Sequence, residues 1–286
     1  MSPADRLRQL LAQPDVMVTP GCFDALSAKL IERAGFGATF MGGFAVSAAR
    51  LGMPDTGLIS YAEMVDQGRN ICGAVSIPVI GDGDTGYGNA INVQRTVRGY
   101  AQAGFACIMI EDQVSPNKRC GHTRGKQTVG RDEAFQRVRA AVDARDAGAD
   151  ILIMARTDAN ATDGFDEALR RVKTFAEMGA DITFLEAPRT EDEMRAYCDG
   201  VTGPKMANMV EQGDTPLLAP ERLGAIGYKI VLYPITLLLG GIKAMEDALA
   251  VLKQGAHPDA LADFAHAREV IGFPAYDEDE KKYATT

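Results

Sequence analysis

The chain has 286 residues, of which 46% are hydrophobic, and its 30 Lys+Arg against 39 Asp+Glu leave a formal net charge of −9. That length suits a one-domain α/β barrel with a large core, while the acidic balance, unbroken by any basic stripe, argues against a nucleic-acid surface. No apolar run approaches the roughly 20 residues of a membrane span, the start Met1-Ser2-Pro3-Ala4-Asp5-Arg6-Leu7 does not read as a signal peptide, and 5 cysteines without metal-type spacing suit a reducing cytoplasm.

Short β-rich runs alternate with helical patterns along the chain. Strands are predicted at Val16–Thr19, Ala38–Met41, Ile77–Ile80, Ala106–Ile110, Ile151–Ala155, Ile182–Leu185, Lys205–Ala207 and Lys229–Leu232. Between most of them lie amphipathic stretches such as Asp166–Ala176. Several helices close on glycine just before the next strand, as in Ala34-Gly35-Phe36-Gly37, Ala103-Gly104-Phe105, Met178-Gly179-Ala180 and Ile226-Gly227-Tyr228. Eight βα units imply an α/β fold, a (β/α)8 TIM-type barrel, because parallel crossovers need helices and closure removes both edges. An open doubly wound sheet is the alternative. Residues 1–286 read as a single barrel domain, with 237–286 as a C-terminal helical extension. Within it, Leu237–Leu252 is an apolar-rich helix, Pro258–Val270 a second helical stretch and Asp277–Lys282 a charged end. Its apolar residues Leu261, Phe264, Val270, Ile271 and Phe273 either cover a neighbouring subunit or pack on their own barrel.

Barrel chemistry sits at the C-terminal strand ends. Here those ends read Gly42-Gly43, Asp82 and Asp84, Glu111, Arg156, Glu186, Asn208 and Tyr233-Pro234. The run Ile77–Gly88 passes from an apolar strand into two carboxylates among glycines, and the next strand ends in Glu111-Asp112. Buried acids are costly unless a cation or hydrogen bonds compensate them. Hard divalent metals prefer oxygen ligands, so Asp82, Asp84 and Glu111 are candidate metal ligands. Gly81–Gly86 also matches G-x-G-x-x-G, but carboxylates in that loop would repel a diphosphate. A calcium loop fails too, with Tyr87 at the glycine position and Val93 at the glutamate position. The aspartates acting only as caps of the following helix stays open.

The segment Val114–Lys126 is a charged, glycine-containing loop where barrel enzymes carry lids. Cys120 lies among Lys118, Arg119 and His122, and nearby positive charge lowers a thiol's pKa, which suits it to proton exchange. Cys22, Cys72, Cys107 and Cys198 read as inert small hydrophobes.

Pro20–Ala28, Gly81–Gly88, Ile110-Glu111-Asp112-Gln113, Lys118-Arg119-Cys120-Gly121-His122, Ala155-Arg156-Thr157-Asp158-Ala159, Leu185-Glu186-Ala187-Pro188 and Ala207–Glu211 occur in that order. Together they resemble the isocitrate lyase / phosphoenolpyruvate mutase superfamily, in its lyase-type branch, over nearly the whole chain. The resemblance implies a barrel whose C-terminal helix is swapped between subunits, a homotetramer, and Mg²⁺ (with Mn²⁺ as a substitute) at the strand ends. It also implies a small di- or oxo-acid substrate that reacts through an enolate-like species. On that basis Asp82, Asp84 and Glu111 form the metal site. Cys120 donates a proton, with Lys118 and His122 poising it or His122 relaying. Arg156 binds a carboxylate, unless it is a structural ion pair with a neighbouring acid. Glu186 and Asn208 orient substrate or metal-bound water, backbone N–H groups near Gly42 and Gly43 receive a carboxylate, and Thr215 joins the substrate-binding set. The tail then belongs between subunits.

Two departures from the methylisocitrate lyases narrow the substrate. Phe40-Met41-Gly42-Gly43-Phe44 lacks the serine of their Tyr-Leu-Ser-Gly-Gly, and Ile235–Leu239 replaces a stretch that carries an arginine for a further carboxylate. The expected reaction is therefore retro-aldol cleavage of an alkylmalate-type 2-hydroxy dicarboxylate, 2,3-dimethylmalate-like, to a 2-oxo acid such as pyruvate plus a carboxylate. Arg189 or Lys243 would have to supply the cation for a tricarboxylate. Cleavage of 2-methylisocitrate, carboxyphosphoenolpyruvate mutase chemistry and oxaloacetate hydrolysis or decarboxylation are the alternatives, with a non-enzymatic scaffold last.

Overall fold

All eight expected strands are present in the computed structural model, which describes residues 1–284 apart from His122 and Arg124. They are β1 (Met17–Cys22), β2 (Thr39–Met41), β3 (Val79–Asp82), β4 (Cys107–Glu111), β5 (Leu152–Thr157), β6 (Ile182–Leu185), β7 (Met206–Asn208) and β8 (Ile230–Tyr233). They pair in parallel in the order β6-β5-β4-β3-β2-β1-β8-β7. A parallel bridge between Thr183 and Lys205 ties β6 to β7. The sheet therefore wraps into a nearly closed barrel rather than an open doubly wound one. Several strands outrun their apolar runs: β1 continues through Pro20-Gly21-Cys22 and β5 through Arg156-Thr157. Ladder pairing follows the backbone, which a change from apolar to polar side chains does not interrupt.

Side chains alternate between the two faces of each strand. Phe40, Ile80, Met109, Leu152, Met154, Phe184, Met206 and Leu232 fill the barrel interior, joined from its N-terminal end by Ala4 and Leu7 of the helix Pro3–Ala12. Ile108, Ile110, Ile153, Ala155 and Val231 point outward into the layer under the helices. The helix Phe165–Glu177 covers that layer with Ala168, Arg171, Val172 and Phe175, an i, i+3, i+4, i+7 stripe. Continuing the inward period by one step brings Asp82, Glu111, Arg156, Glu186 and Asn208 to the barrel mouth. Gly104 (φ 100°) and Gly227 (φ 117°) end their helices in the left-handed conformation, which turns the chain into β4 and β8.

The chain divides into two compact units, Met1–Thr236 and Leu237–Thr286. In the second, the expected Leu237–Leu252 helix is part of Thr236–Lys253. The Pro258–Val270 stretch becomes helical only from Phe264, where the Asp263 carboxylate accepts the Ala265 N–H and caps the helix. Pro274 lies in the first turn of a further helix, Phe273–Tyr283, where its missing N–H is harmless, so Gly272-Phe273-Pro274 joins two helices. No helix among the described residues is long and apolar enough to cross a membrane.

One packing constraint fixes β3 against β4. The Phe105 ring stacks on Tyr100 at a centroid distance of 4.7 Å. A Cβ on Gly68, in the helix Tyr61–Ala74, would lie 2.1 Å from Phe105 Cζ, and one on Gly81 would lie 2.6 Å from its Cε1. Alanine gains about 1 kcal/mol over glycine inside a helix, whereas overpacking costs about 1–3 kcal/mol, and at 2.1 Å from a buried ring the clash wins. Gly68→Ala is expected to destabilise the protein by roughly 1–2 kcal/mol in urea unfolding. Adding Phe105→Leu should remove most of that penalty in a double-mutant cycle. A neutral Gly68→Ala would show that the ring moves aside.

Candidate active site

The barrel mouth encloses a cavity of about 220 Å³ lined by Gly42, Gly43, Asp55, Asp82, Glu111, Lys118, Arg119, Cys120, Gly121, Arg156, Glu186 and Asn208, with Phe40, Phe44, Met109, Phe184, Val210, Leu232, Pro234 and Ile235 as apolar wall. The aspartates at the end of β3 do not cap the next helix. Asn89 does so, accepting from Ile91 and Asn92 N–H. Asp82 instead accepts from the Asp84 N–H at 3.0 Å and the Gly43 N–H at 2.9 Å. The Gly43 N–H expected to receive a substrate carboxylate thus holds a protein carboxylate in this structure. Asp84 sits in a left-handed conformation (φ 48°), which aspartate tolerates better than most residues. Its carbonyl accepts the Glu111 N–H at 2.9 Å, so the two acids lie side by side.

Lys118 reaches from the loop into this acidic ground. Its ammonium contacts Asp55 at 2.6 Å and also Asp84. Burial opposes its charge, but Asp84, Asp82 and Asp55 outweigh that and keep it protonated. Its ammonium neutralises acids on the same cavity that Cys120 lines. Burial pushes the Asp84 carboxyl up to about 6 against the pull of Lys118. Glu111 rises well above the usual carboxylate range, again through burial, with Arg156 opposing.

Arg156 is engaged by protein acids on several sides. Nε and Nη2 grip Asp158 at 2.8 and 2.9 Å, and the same nitrogens meet Glu111 at 3.3 Å and Glu186 at 3.1 Å. The structural ion-pair reading is thus realised, with the guanidinium still on the cavity wall. Glu186 is fully buried and also lies near Asn208 Nδ2, at 3.3 and 3.4 Å from its two oxygens. Thr215 is buried but does not line the cavity.

The loop is docked over the mouth. Lys126 Nζ donates to the Gly121 carbonyl and to Asp158 Oδ1, the latter at 3.0 Å. A Cβ on Gly121 would sit 2.2 Å from Glu186 Oε2 and 2.8 Å from Arg156 Nη2, so only glycine lets the backbone approach this closely. That seats the adjacent Cys120 on the cavity. Burial pushes the Cys22, Cys72 and Cys198 thiols up to about 12 and Cys107 well above the usual thiol range, which fits their inert reading. His122 lies outside the described residues.

Sequence reasoning missed Asp55, Asp158, Gln113 and Lys126 as site residues. Asp158 and Gln113 stand inside the family-like motifs, where their position two places past an inward arginine or acid was the available signal. Asp55 follows Met53-Pro54 in a connection with no periodicity to mark it. Arg189, a proposed source of an extra cation, does not line this cavity, whereas Arg119 does.

No three His, Cys, Asp or Glu side chains among the described residues form a ready metal cluster. The donor set nevertheless fits a hard divalent cation. Six buried carboxylates gather here (Asp55, Asp82, Asp84, Glu111, Asp158 and Glu186), and Lys118, Lys126 and Arg156 make ion pairs within the group. All candidate ligand atoms are carboxylate oxygens.

Residues 7–253 match the phosphoenolpyruvate phosphomutase family. The chain is 44% identical to the 2,3-dimethylmalate lyase of Eubacterium barkeri, over 100% of this chain and 99% of that protein. Among solved structures, oxaloacetate acetylhydrolase in complex with the inhibitor 3,3-difluorooxalacetate superimposes with a TM-score of 0.93 at 35% identity, covering 98% of this chain and 97% of that one. A phosphonopyruvate hydrolase complex with oxalate and Mg²⁺ gives 0.87 at 29% identity, covering 99% of each chain. The chain belongs to the phosphoenolpyruvate phosphomutase family, within the superfamily of phosphoenolpyruvate mutase and isocitrate lyase.

Proposed function

We propose that the protein is a carbon–carbon lyase that cleaves an alkylmalate-type 2-hydroxy dicarboxylate, 2,3-dimethylmalate-like, to a 2-oxo acid and a carboxylate. The observation that carries this reading is one cavity in which an acidic cluster, Arg156 and the loop cysteine converge, walled on one side by Val210, Leu232, Pro234 and Ile235. Asp82, Asp84 and Glu111 would hold Mg²⁺ or Mn²⁺, directly or through water, and the ion would supply Lewis-acid stabilisation of developing negative charge.

The chain's own groups account for the proton movements. A carboxylate on the cavity wall takes the proton of the substrate 2-hydroxyl. The oxygen's electrons form the C2 carbonyl, the C2–C3 bond breaks, and its electron pair passes into the departing enolate-like carboxylate. The Cys120 thiol protonates C3 and later recovers its proton. The docked loop excludes water while this charge exists. Glu186 and Asn208 orient the substrate, and Arg156 presents positive charge already held in place by Asp158.

The apolar wall favours a dicarboxylate, because a buried unpaired charge costs about 3–5 kcal/mol, more than about a hundredfold in kcat/KM. Arg119 on the lining gives 2-methylisocitrate cleavage a specific second claim. Release of 2-oxo acid should be measured for 2,3-dimethylmalate, 2-methylisocitrate and oxaloacetate, with and without chelator. The expected result is preference for the alkylmalate, abolished by chelation and restored by Mg²⁺ or Mn²⁺. Preference for 2-methylisocitrate would assign Arg119 to the third carboxylate. Full activity in chelator would refute the metal site.

Cys120→Ser should keep the fold and lose about 10²–10⁴ in kcat, the range for removal of a general acid. Unchanged turnover would take Cys120 out of the mechanism.

Oligomeric packing of the tail belongs to the same reading. In Thr236–Lys253 and Phe264–Ile271, Met245, Leu249 and Phe264 are 60%, 64% and 78% exposed in the single chain, too apolar a surface to leave in water. We assign it to contacts between subunits of a homotetramer with exchanged C-terminal helices. Sedimentation should show a tetramer, and Leu249→Lys with Phe264→Lys should dissociate it; a monomeric wild type would overturn the assignment. All five cysteines are free, which suits a cytoplasmic location that cell fractionation can check.

A further inference from the structure

Gln113 lies at the base of the loop, two residues beyond Glu111, and is fully buried. Its main chain is fixed from two directions: its carbonyl accepts from Arg137 Nη1 at 2.7 Å, and it bridges Thr128 across the neck of the loop. Its side-chain amide does something different. Oε1 accepts the Arg119 N–H at 2.8 Å and Nε2 donates to the Arg119 carbonyl at 2.7 Å, so one amide closes on both backbone groups of a single loop residue. The same Nε2 donates to Glu111 Oε1 at 3.1 Å.

Arg119 stands between Lys118, whose ammonium enters the acidic cluster, and Cys120, which lines the cavity. A clasp at Arg119 therefore sets both side chains at once, and the shared Nε2 ties their placement to the Glu111 carboxylate. A general packing role does not require this geometry. An apolar side chain would fill the same volume, whereas only a primary amide offers an acceptor to the N–H and two donors to the carbonyl and the carboxylate.

We propose that Gln113 is a positioning residue that couples docking of the Lys118–Cys120 segment to the orientation of Glu111. Without the amide, the Arg119 N–H and carbonyl lose their buried partners and recover hydrogen bonds only by moving out to water. The docked loop should then open more often in the substrate-free protein. The proposal uses the lyase reading only for the role of Cys120; the coupling itself concerns the resting enzyme.

The test is the rate at which iodoacetamide alkylates Cys120 in the full-length, substrate-free protein, read at the Cys120 peptide by mass spectrometry. Gln113→Met keeps length and shape and removes all three hydrogen bonds. It should raise the Cys120 rate by at least about 10-fold, given the net strength of such bonds, while Cys22, Cys107 and Cys198 stay protected. An unchanged Cys120 rate in a folded Gln113→Met protein would overturn the proposal. If all the cysteines react together, the variant has unfolded. Gln113→Glu, which keeps the acceptor for the Arg119 N–H but loses both donors, then decides: faster Cys120 labelling alone supports the clasp, and a wild-type rate refutes it. Because labelling needs no substrate or added metal, a wrong substrate class would leave this result intact.

Discussion

The barrel mouth buries more negative charge than it can neutralise with fixed groups of its own strands. Asp82, Glu111 and Glu186 come from strand ends, and Arg156 is the strand-borne cation among them, already divided between Asp158, Glu111 and Glu186. The compensating ammonium groups of Lys118 and Lys126 both arrive on one loop. Docking that loop and balancing the charge are therefore the same event, and the event that delivers Lys118 also seats Cys120. A divalent cation would change the balance, and with it the pull on Lys118. Metal occupancy and loop position would in this sense be linked through Coulomb attraction at short range in a poorly hydrated space.

The fold was legible because a barrel repeats one signal eight times, and each apolar run followed by a glycine-closed helix repeats the same physical demand. The inward acids were legible for a related reason: an alternating strand that stops being apolar at its last inward position marks the point where interior becomes site. Asp55 escaped because it lies in an irregular connection, and its carboxylate acquires meaning only when Lys118 reaches it from a segment more than 60 residues later. Gln113 and Lys126 escaped because each joins a backbone group of the loop to a carboxylate at a strand end, Arg119 with Glu111 and Gly121 with Asp158, a pairing that exists only once the loop has folded back. The departures in the tail, a later helix start at Phe264 and an unforeseen helix from Phe273, come from local capping by Asp263 and from a proline placed where a helix begins.

Arg156 shows why residue type alone settles less than position. The guanidinium lines the cavity where a substrate carboxylate was expected, and its fork is already braced by Asp158. Such an arrangement fixes the direction of the positive charge before any substrate enters, and preorganised charge is more useful to a transition state than charge that must reorganise.

Asp112 looks away from all of this. It is the outward neighbour of Glu111, and its carboxylate accepts from Thr157 Oγ1, the Asp158 N–H and Arg171 Nη1 on the helix side of the barrel. The ends of β4 and β5 are thus stapled from behind, on the face that never meets substrate. Precision of the inner face is delegated to the outer one, which frees the inner residues to diverge without loosening the frame that aims them. A scaffold divided in this way can exchange one chemistry for another by small edits, and mutases, lyases and hydrolases on a common set of strand ends are what such a division of labour would be expected to yield.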